Sequence, residues 1–140
     1  MSAYDPSNIF AKILRDEMPA EKVYEDDKTL AFMDIMPRSD GHALVIPKVP
    51  VRTFFDIGPD DLAALYLSVQ KVARAAVAGL GADGLTIQQF NEAAGGQVVF
   101  HMHVHVLPRW DGVPLRPHTG QMAPREVIAA HAAKIRAALG

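Results

Sequence analysis

The stretch Phe100-His101-Met102-His103-Val104-His105-Val106-Leu107 constrains this chain more than any other. Alternate residues of a β-strand share a face. A strand over Val99 to Leu107 therefore sets His101, His103 and His105 on one side and Phe100, Met102, Val104 and Val106 on the other. The apolar side demands a second layer of structure against it. A long helix supplies that layer. Gly58 and Pro59 open it, Asp60 and Asp61 suit its positive N-terminal end, and Leu62, Leu65, Val69, Val72 and Ala76 line one face before Gly79 and Gly81 close it.

Around these two elements the remaining segments fall into place. Ile9, Phe10, Ile13 and Leu14 have helical spacing in a segment from Ile9 to Glu17 that stops before Pro19. Lys22–Glu25 and Thr29–Asp34 read as short strands around an Asp26-Asp27-Lys28 turn. A loop rich in turn formers, Met36 to Gly41, leads to a buried strand from His42 to Ile46, ended by Pro47 and Pro50. Leu85–Asn91 reads as a fourth strand, Glu92–Gly96 as a loop, and Val99–Leu107 as the fifth strand. Arg109–Met122 has no regular pattern, and Pro124–Leu139 is a second amphipathic helix carrying Val127, Ile128, Ile135 and Leu139. Short connections between the early strands favour antiparallel pairing. The expectation is an α+β fold with its helices on one side of the sheet.

A chain of 140 residues is expected to form one domain over 1–140. It is long enough to bury a core without a disulfide or metal staple. There is no cysteine, which removes disulfides, thiolate metal sites and a thiol nucleophile, and favours the cytoplasm. A net charge of −2 with no basic stripe argues against a long nucleic acid as partner. A pocket can still be locally positive and take a small anion. The N-terminal segment has neither the basic nor the apolar region of a signal peptide. No apolar run approaches the ~20 residues of a membrane span.

Three readings of the histidine row compete. Solvent-facing polar residues on a half-buried strand are the plainest. Metal binding is the second. Same-face residues lie ~6.6 Å apart along a strand, so His101 and His105 would be ~13 Å apart, and one zinc with Zn–N bonds of ~2.0–2.1 Å would need His42 or Glu92 as well. Nucleophilic catalysis is the third. A neutral imidazole attacks phosphorus near pH 7, because its unperturbed pKa is ~6.5. A phosphoramidate intermediate then splits one difficult displacement into two. His103, flanked on both sides, is the natural nucleophile.

His101-Met102-His103-Val104-His105-Val106-Leu107 resembles in full the His-φ-His-φ-His-φ-φ motif (φ apolar) of the histidine-triad, or HIT, superfamily. In order along the chain, Ile9-Phe10-Ala11-Lys12-Ile13, Tyr24-Glu25-Asp26-Asp27, Ala31-Phe32-Met33-Asp34-Ile35, Gly41–Lys48, Asn91-Glu92 and Gly96-Gln97 are similar to its Hint branch. The likeness spans roughly residues 8 to 109, and residues 110–140 resemble only a bacterial subgroup with a C-terminal helix. The resemblance implies a five-stranded antiparallel sheet with one long helix, a short N-terminal helix and a C-terminal helix. It implies a homodimer built through the long helix and the strand near Asn91. It also implies hydrolysis or transfer of purine nucleotide conjugates (phosphoramidates, adenylates or dinucleoside polyphosphates) through a nucleotidyl-histidine, with no cofactor.

By this resemblance His103 is the nucleophile, His105 contacts the scissile phosphate and leaving group, and His101 orients the site. Asp34 would accept ribose hydroxyls. Phe10, Ile13, Phe32 and Ile35 would line the base pocket, although the same residues read alone are equally good core. Asn91 and Gln97 would hydrogen-bond phosphate oxygens or the leaving group, and Gly95-Gly96 would let the backbone approach closely. His42 reads equally as structural or site-supporting, while His118 and His131 read as surface residues. Three departures stand out. Asn8 and Ala11 occupy the Cys-x-x-Cys positions of zinc-binding relatives, and Pro50 stands near a further common ligand histidine, so no metal is expected. Val98 stands where Ser or Thr is usual, which removes a hydroxyl but keeps the backbone N–H. Trp110, Arg109 and Arg116 begin a tail in which substrate choice is expected to reside.

Overall fold

Period-2 and period-3.6 patterns become nine elements in a computed structural model that describes residues 3–117 and 121–140. In chain order they are α1 (Ile9–Leu14), β1 (Lys22–Glu25), β2 (Thr29–Met33), β3 (Ala43–Pro47), α2 (Pro59–Leu80), β4 (Gly84–Gln88), a 3-10 turn (Ala93–Gly95), β5 (Val104–Arg109) and α3 (Arg125–Leu139). The strands form one antiparallel sheet in the order β1-β2-β3-β5-β4. The turn between β1 and β2 is organised by Asp26, whose carboxylate accepts from the amides of Lys28 and Thr29 and the hydroxyls of Thr29 and Tyr24. Burial alone would raise its pKa, but these bonds favour the charged form and hold it down at about 2.

The long helix begins and ends where its sequence directs. Gly58 is the N-cap, Pro59 follows, and Gly81 stops it in the left-handed conformation with its N–H on the Val77 carbonyl. Leu65, Val69, Val72 and Ala76 are buried against Val45, Met102, Val104 and Val106, and Ile128, Ala132 and Ile135 of α3 join the same core. The expectation of helices on one side holds for α2 and α3 only. α1 lies on the opposite face, where Phe10 and Ile13 pack with Leu30, Phe32, Leu44 and Ile46. The sheet is thus covered on both sides, and every residue of β2 and β3 is buried.

Two strand boundaries differ from the expectation by three residues or more, and others by one or two. β4 ends at Gln88 rather than Asn91, and β5 begins at Val104 rather than Val99. The alternation of side chains continues upstream of Val104, but the hydrogen-bond ladder does not, because groups that would extend it are engaged elsewhere, the Met102 amide by the Val51 carbonyl and others by side chains. The His101 carbonyl accepts from the His103 ring, and the Pro47 carbonyl contacts the His101 ring. α1 is also shorter than read, ending at Leu14. Among the described residues, no helix is long and apolar enough to cross a membrane.

α2 and α3 lie close together at Gly79, where an added Cβ would stand 2.6 Å from the Lys134 carbonyl oxygen. Alanine normally gains about 1 kcal/mol over glycine inside a helix. Here the clash is with backbone, and overpacking of this kind costs about 1–3 kcal/mol. Gly79→Ala is therefore expected to lower the urea midpoint. An unchanged or raised midpoint would show that α3 is free to shift.

Candidate active site

Four histidines, His42, His101, His103 and His105, are buried on the α1 side of the sheet. β3 and β5 set the frame, with Leu44 paired opposite His105. The solvent-facing reading of the row is overturned, because His101 is 0% exposed, His103 6% and His105 9%. Those values also separate the three, since His103 and His105 keep a little exposed surface and His101 none.

Backbone partners fix where the protons sit. A carbonyl only accepts and an amide N–H only donates. The His103 Nδ1 lies 2.7 Å from the His101 carbonyl, so Nδ1 carries the proton. The His101 Nε2 lies 2.8 Å from the Pro47 carbonyl, so it too is protonated, and its Nδ1 accepts from the Tyr4 hydroxyl at 2.7 Å. The Arg38 amide donates to His42 Nδ1 at 3.1 Å, which puts the single proton of His42 on Nε2. That proton is donated to His105 Nδ1 at 2.9 Å. His105 accordingly bears its own proton on Nε2. Burial lowers the pKa of His103, and it holds that of His101 down at about 4. A neutral His103 with its proton committed at Nδ1 keeps an electron pair on Nε2, in the ring beside His105 at 5.0 Å between centroids.

The expected pocket residues divide into two groups. Phe10 stands edge-on to both His103 (4.9 Å) and Phe32 (5.3 Å), and Ile13 lies in the same cluster. Ile35, by contrast, is 48% exposed and contributes its carbonyl to the Ala123 amide. Asp34 accepts from the Met36 amide through Oδ1, and its Oδ2 lies 3.6 Å from His42 Nε2. Asp34, His42 and His105 offer ligand atoms within 4.8 Å of one another, as a metal trio would. Two nitrogens on one tetrahedral zinc would be about 3.3 Å apart. The 2.9 Å between His42 and His105 fits a hydrogen bond better.

The loop before the triad is tied from within. Gln97 is buried. Its carbonyl accepts from the Glu92 amide and its NH2 donates to the carbonyls of Arg52 and Val99. Asn91 accepts from the Phe54 amide and exchanges bonds with Gln89. Glu92 is held at a positive φ of 63° and is gripped by Arg52 through Nε and Nη2, and Arg52 also lies 4.1 Å above the Phe100 ring. Gly96, at φ +96°, faces Phe90, whose ring lies 5.5 Å from His105. Val98 is 78% exposed.

Asn8 caps α1 by accepting from the Ala11 amide, and both nitrogens of His101 are engaged. The tail is fastened over the Ile35–Asp40 loop. Arg116 pairs with Asp40 at 2.6 Å and its amide donates to the Arg38 carbonyl, Arg109 donates to Thr86, and Trp110 donates to the Gly81 carbonyl. His131 is half-buried on α3, and His118 lies outside the described residues. Tyr4 and the Arg38 amide escaped the sequence reading. No local pattern announces either, since both act on residues distant in the chain or through the backbone.

The depressed His101 pKa has a stability consequence. An unfolded chain with a histidine pKa near 6.5 takes up the proton before the folded one, with its pKa of about 4. Stability is therefore complete above about pH 6.5 and lost as the pH falls toward 4, by on the order of 3 kcal/mol from this residue. His103 acts in the same direction. Urea denaturation between pH 7 and pH 4 is expected to show this loss, with a shallower slope in His101→Gln; equal slopes would refute the assignment.

Comparison with known proteins places this geometry. The family model described as the HIT domain matches residues 15–112. The chain is 39% identical over 117 residues to an adenylylsulfatase of Arabidopsis thaliana, a match covering 79% of this chain but 59% of that longer protein. It is 42% identical over 104 residues to an uncharacterized HIT-like protein of Methanocaldococcus jannaschii, covering 74% and 80% of the two chains. A crystal structure of a Hit-like protein from Bartonella henselae, described as involved in cell-cycle regulation and as having an unknown ligand, superposes with a TM-score of 0.91 at 48% identity, over 97% and 99% of the chains. A zinc-bound histidine triad family protein from Mycobacterium smegmatis gives 0.84 at 37%, over 95% and 93%. With this fold, this imidazole cluster and these matches, the chain belongs to the histidine-triad (HIT) family of nucleotide-binding proteins and hydrolases.

Proposed function

We propose that this protein is a nucleotidyl hydrolase or transferase that cleaves purine nucleotide conjugates through a covalent intermediate on His103. The observation that carries this reading is the fixed tautomer of His103, with Nδ1–H on the His101 carbonyl and Nε2 left as the nucleophilic atom. Attack on the α-phosphorus forms the P–Nε2 bond, breaks the bond to the leaving group and makes the ring an imidazolium. The leaving group takes the electron pair and, where it is an amine, a proton from solvent. The His101 carbonyl stabilises the positive ring through the same hydrogen bond. The His105 Nε2–H donates to a phosphate oxygen, in a direction set by His42. Water then attacks phosphorus, releases a nucleoside monophosphate and returns His103 as neutral imidazole. No step requires a metal.

In this reading Phe10, Ile13, Phe32 and Ile35 bound the base pocket, and Asp34 accepts the ribose hydroxyls. Gly96 and Val98 present backbone to the phosphate, while Gln97 and Asn91 act by holding that loop in place. The adenylylsulfatase among the relatives makes a phosphosulfate a second substrate to test beside phosphoramidates. The protein would work in the cytoplasm on free small molecules. Two copies would associate along β4, which lies at the sheet edge with Ile87 48% exposed, and along α2, where Leu67 is 66% exposed. Sedimentation velocity checks this, and a 15.2 kDa species at micromolar concentration would refute it.

The decisive assay compares wild type with His103→Ala on an adenosine phosphoramidate bearing a fluorescent amine, and on adenosine 5′-phosphosulfate. Turnover is expected to fall at least about a thousandfold while AMP binding persists. A wild type that binds AMP but releases neither leaving group would point instead to a nucleotide-binding protein with little turnover.

A further inference from the structure

The backbone from Val99 to His103 lies outside the β ladder, yet it carries the carbonyl that sets His103. Its position depends on a few ties. The Met102 amide donates to the Val51 carbonyl at 2.9 Å, and the His101 ring is held at both nitrogens. One of those ring ties comes from the end of β3, through Pro47. The other comes from the N-terminal arm, through the hydroxyl of Tyr4 at 2.7 Å, with the two rings edge-on and 5.6 Å apart. His101 is 0% exposed, so water does not replace that hydroxyl as a partner for Nδ1.

The arm is itself held in place. Asp5 accepts from the amide and hydroxyl of Ser7, Asn8 caps α1, and Arg15 donates to the Pro6 carbonyl at 2.9 Å. α1 then carries Phe10 to the edge of the His103 ring. The arm thus grips the triad twice, at His101 through a hydrogen bond and at His103 through an aromatic contact.

We propose that Tyr4 is a positioning residue of the reaction, its hydroxyl fixing the His101 ring and, through the His101 carbonyl, the aim of the His103 Nε2. The proposal rests on the nucleotidyl-transfer reading of the site for its kinetic consequence, though not for its geometric one. Tyr4 touches neither substrate nor the reacting atoms. Its loss should therefore reduce the rate of attack while leaving nucleotide binding intact.

Tyr4→Phe keeps the ring contact and removes only the hydroxyl. Two measurements test it, both made well below the melting temperature so that wild type and variant are equally folded. With the fluorescent adenosine phosphoramidate, kcat is expected to fall about tenfold with KM within about twofold. Long-range proton–nitrogen correlation spectra of the imidazoles are expected to show the His101 Nδ1 resonance move as it loses its donor, and the His103 Nδ1 resonance move with it. A kcat within about twofold of wild type, or a loss carried by KM alone, overturns the proposal. So does a His103 resonance that stays in place, since a merely stabilising Tyr4 would perturb His101 and stop there. If wild type proves inactive, the hydrolase reading fails separately, and the His103 resonance alone still decides whether Tyr4 sets that ring.

Discussion

Burying several imidazoles together is costly if any of them carries charge, and the protein avoids that cost by giving their nitrogens backbone partners. The carbonyls of His101 and Pro47 and the amide of Arg38 permit only one hydrogen placement each. From those three groups the protonation of four rings follows in sequence, ending with a bare nitrogen on His103 and a donor on His105. An electron pair and a hydrogen-bond donor are thereby set side by side by backbone groups. In the proposed reaction, preorganised dipoles of this kind would need no rearrangement as charge develops at phosphorus.

The sheet makes the arrangement rigid by having two unlike faces. One is packed by α2 and α3 into an aliphatic core that includes Met102, Val104 and Val106. The other is closed by α1 and the N-terminal arm, which bring Phe10 and Tyr4 against the histidines. Each residue of the 101–106 stretch thus belongs either to the aliphatic core or to the imidazole cluster. The loop from Glu92 to Gln97 forms a further wall, held by the Arg52–Glu92 pair and by a buried glutamine whose amide groups all face backbone. The tail, bonded to Arg38, Ile35 and Asp40, steadies the loop that follows Asp34.

Much of this was legible in the residues. The alternation at 100–107 separated the core residues Met102, Val104 and Val106 from the histidines correctly, because the two faces of an extended chain differ whether or not it is hydrogen-bonded to a neighbour. The limits of α2 were readable because Gly58, Pro59 and Gly81 act locally. The start of β5 was not, since periodicity reports side-chain direction and is silent on where a ladder stops. Gln97 shows the same gap. The family resemblance implies contact with a phosphate for Gln97; only the structure shows that its side chain bonds within the loop.

The sequence by itself determined an α+β sheet, the family, and the identity of the histidine row, because these depend on residue type and local spacing. Tertiary structure alone decided which nitrogen of each ring holds a proton, that α1 crosses to the site face, and that Tyr4 reaches His101 across 97 positions of chain. Those features arise where backbone groups from separate segments meet. A hydrogen bond to a carbonyl depends on where the chain passes, and not on which side chain that residue bears.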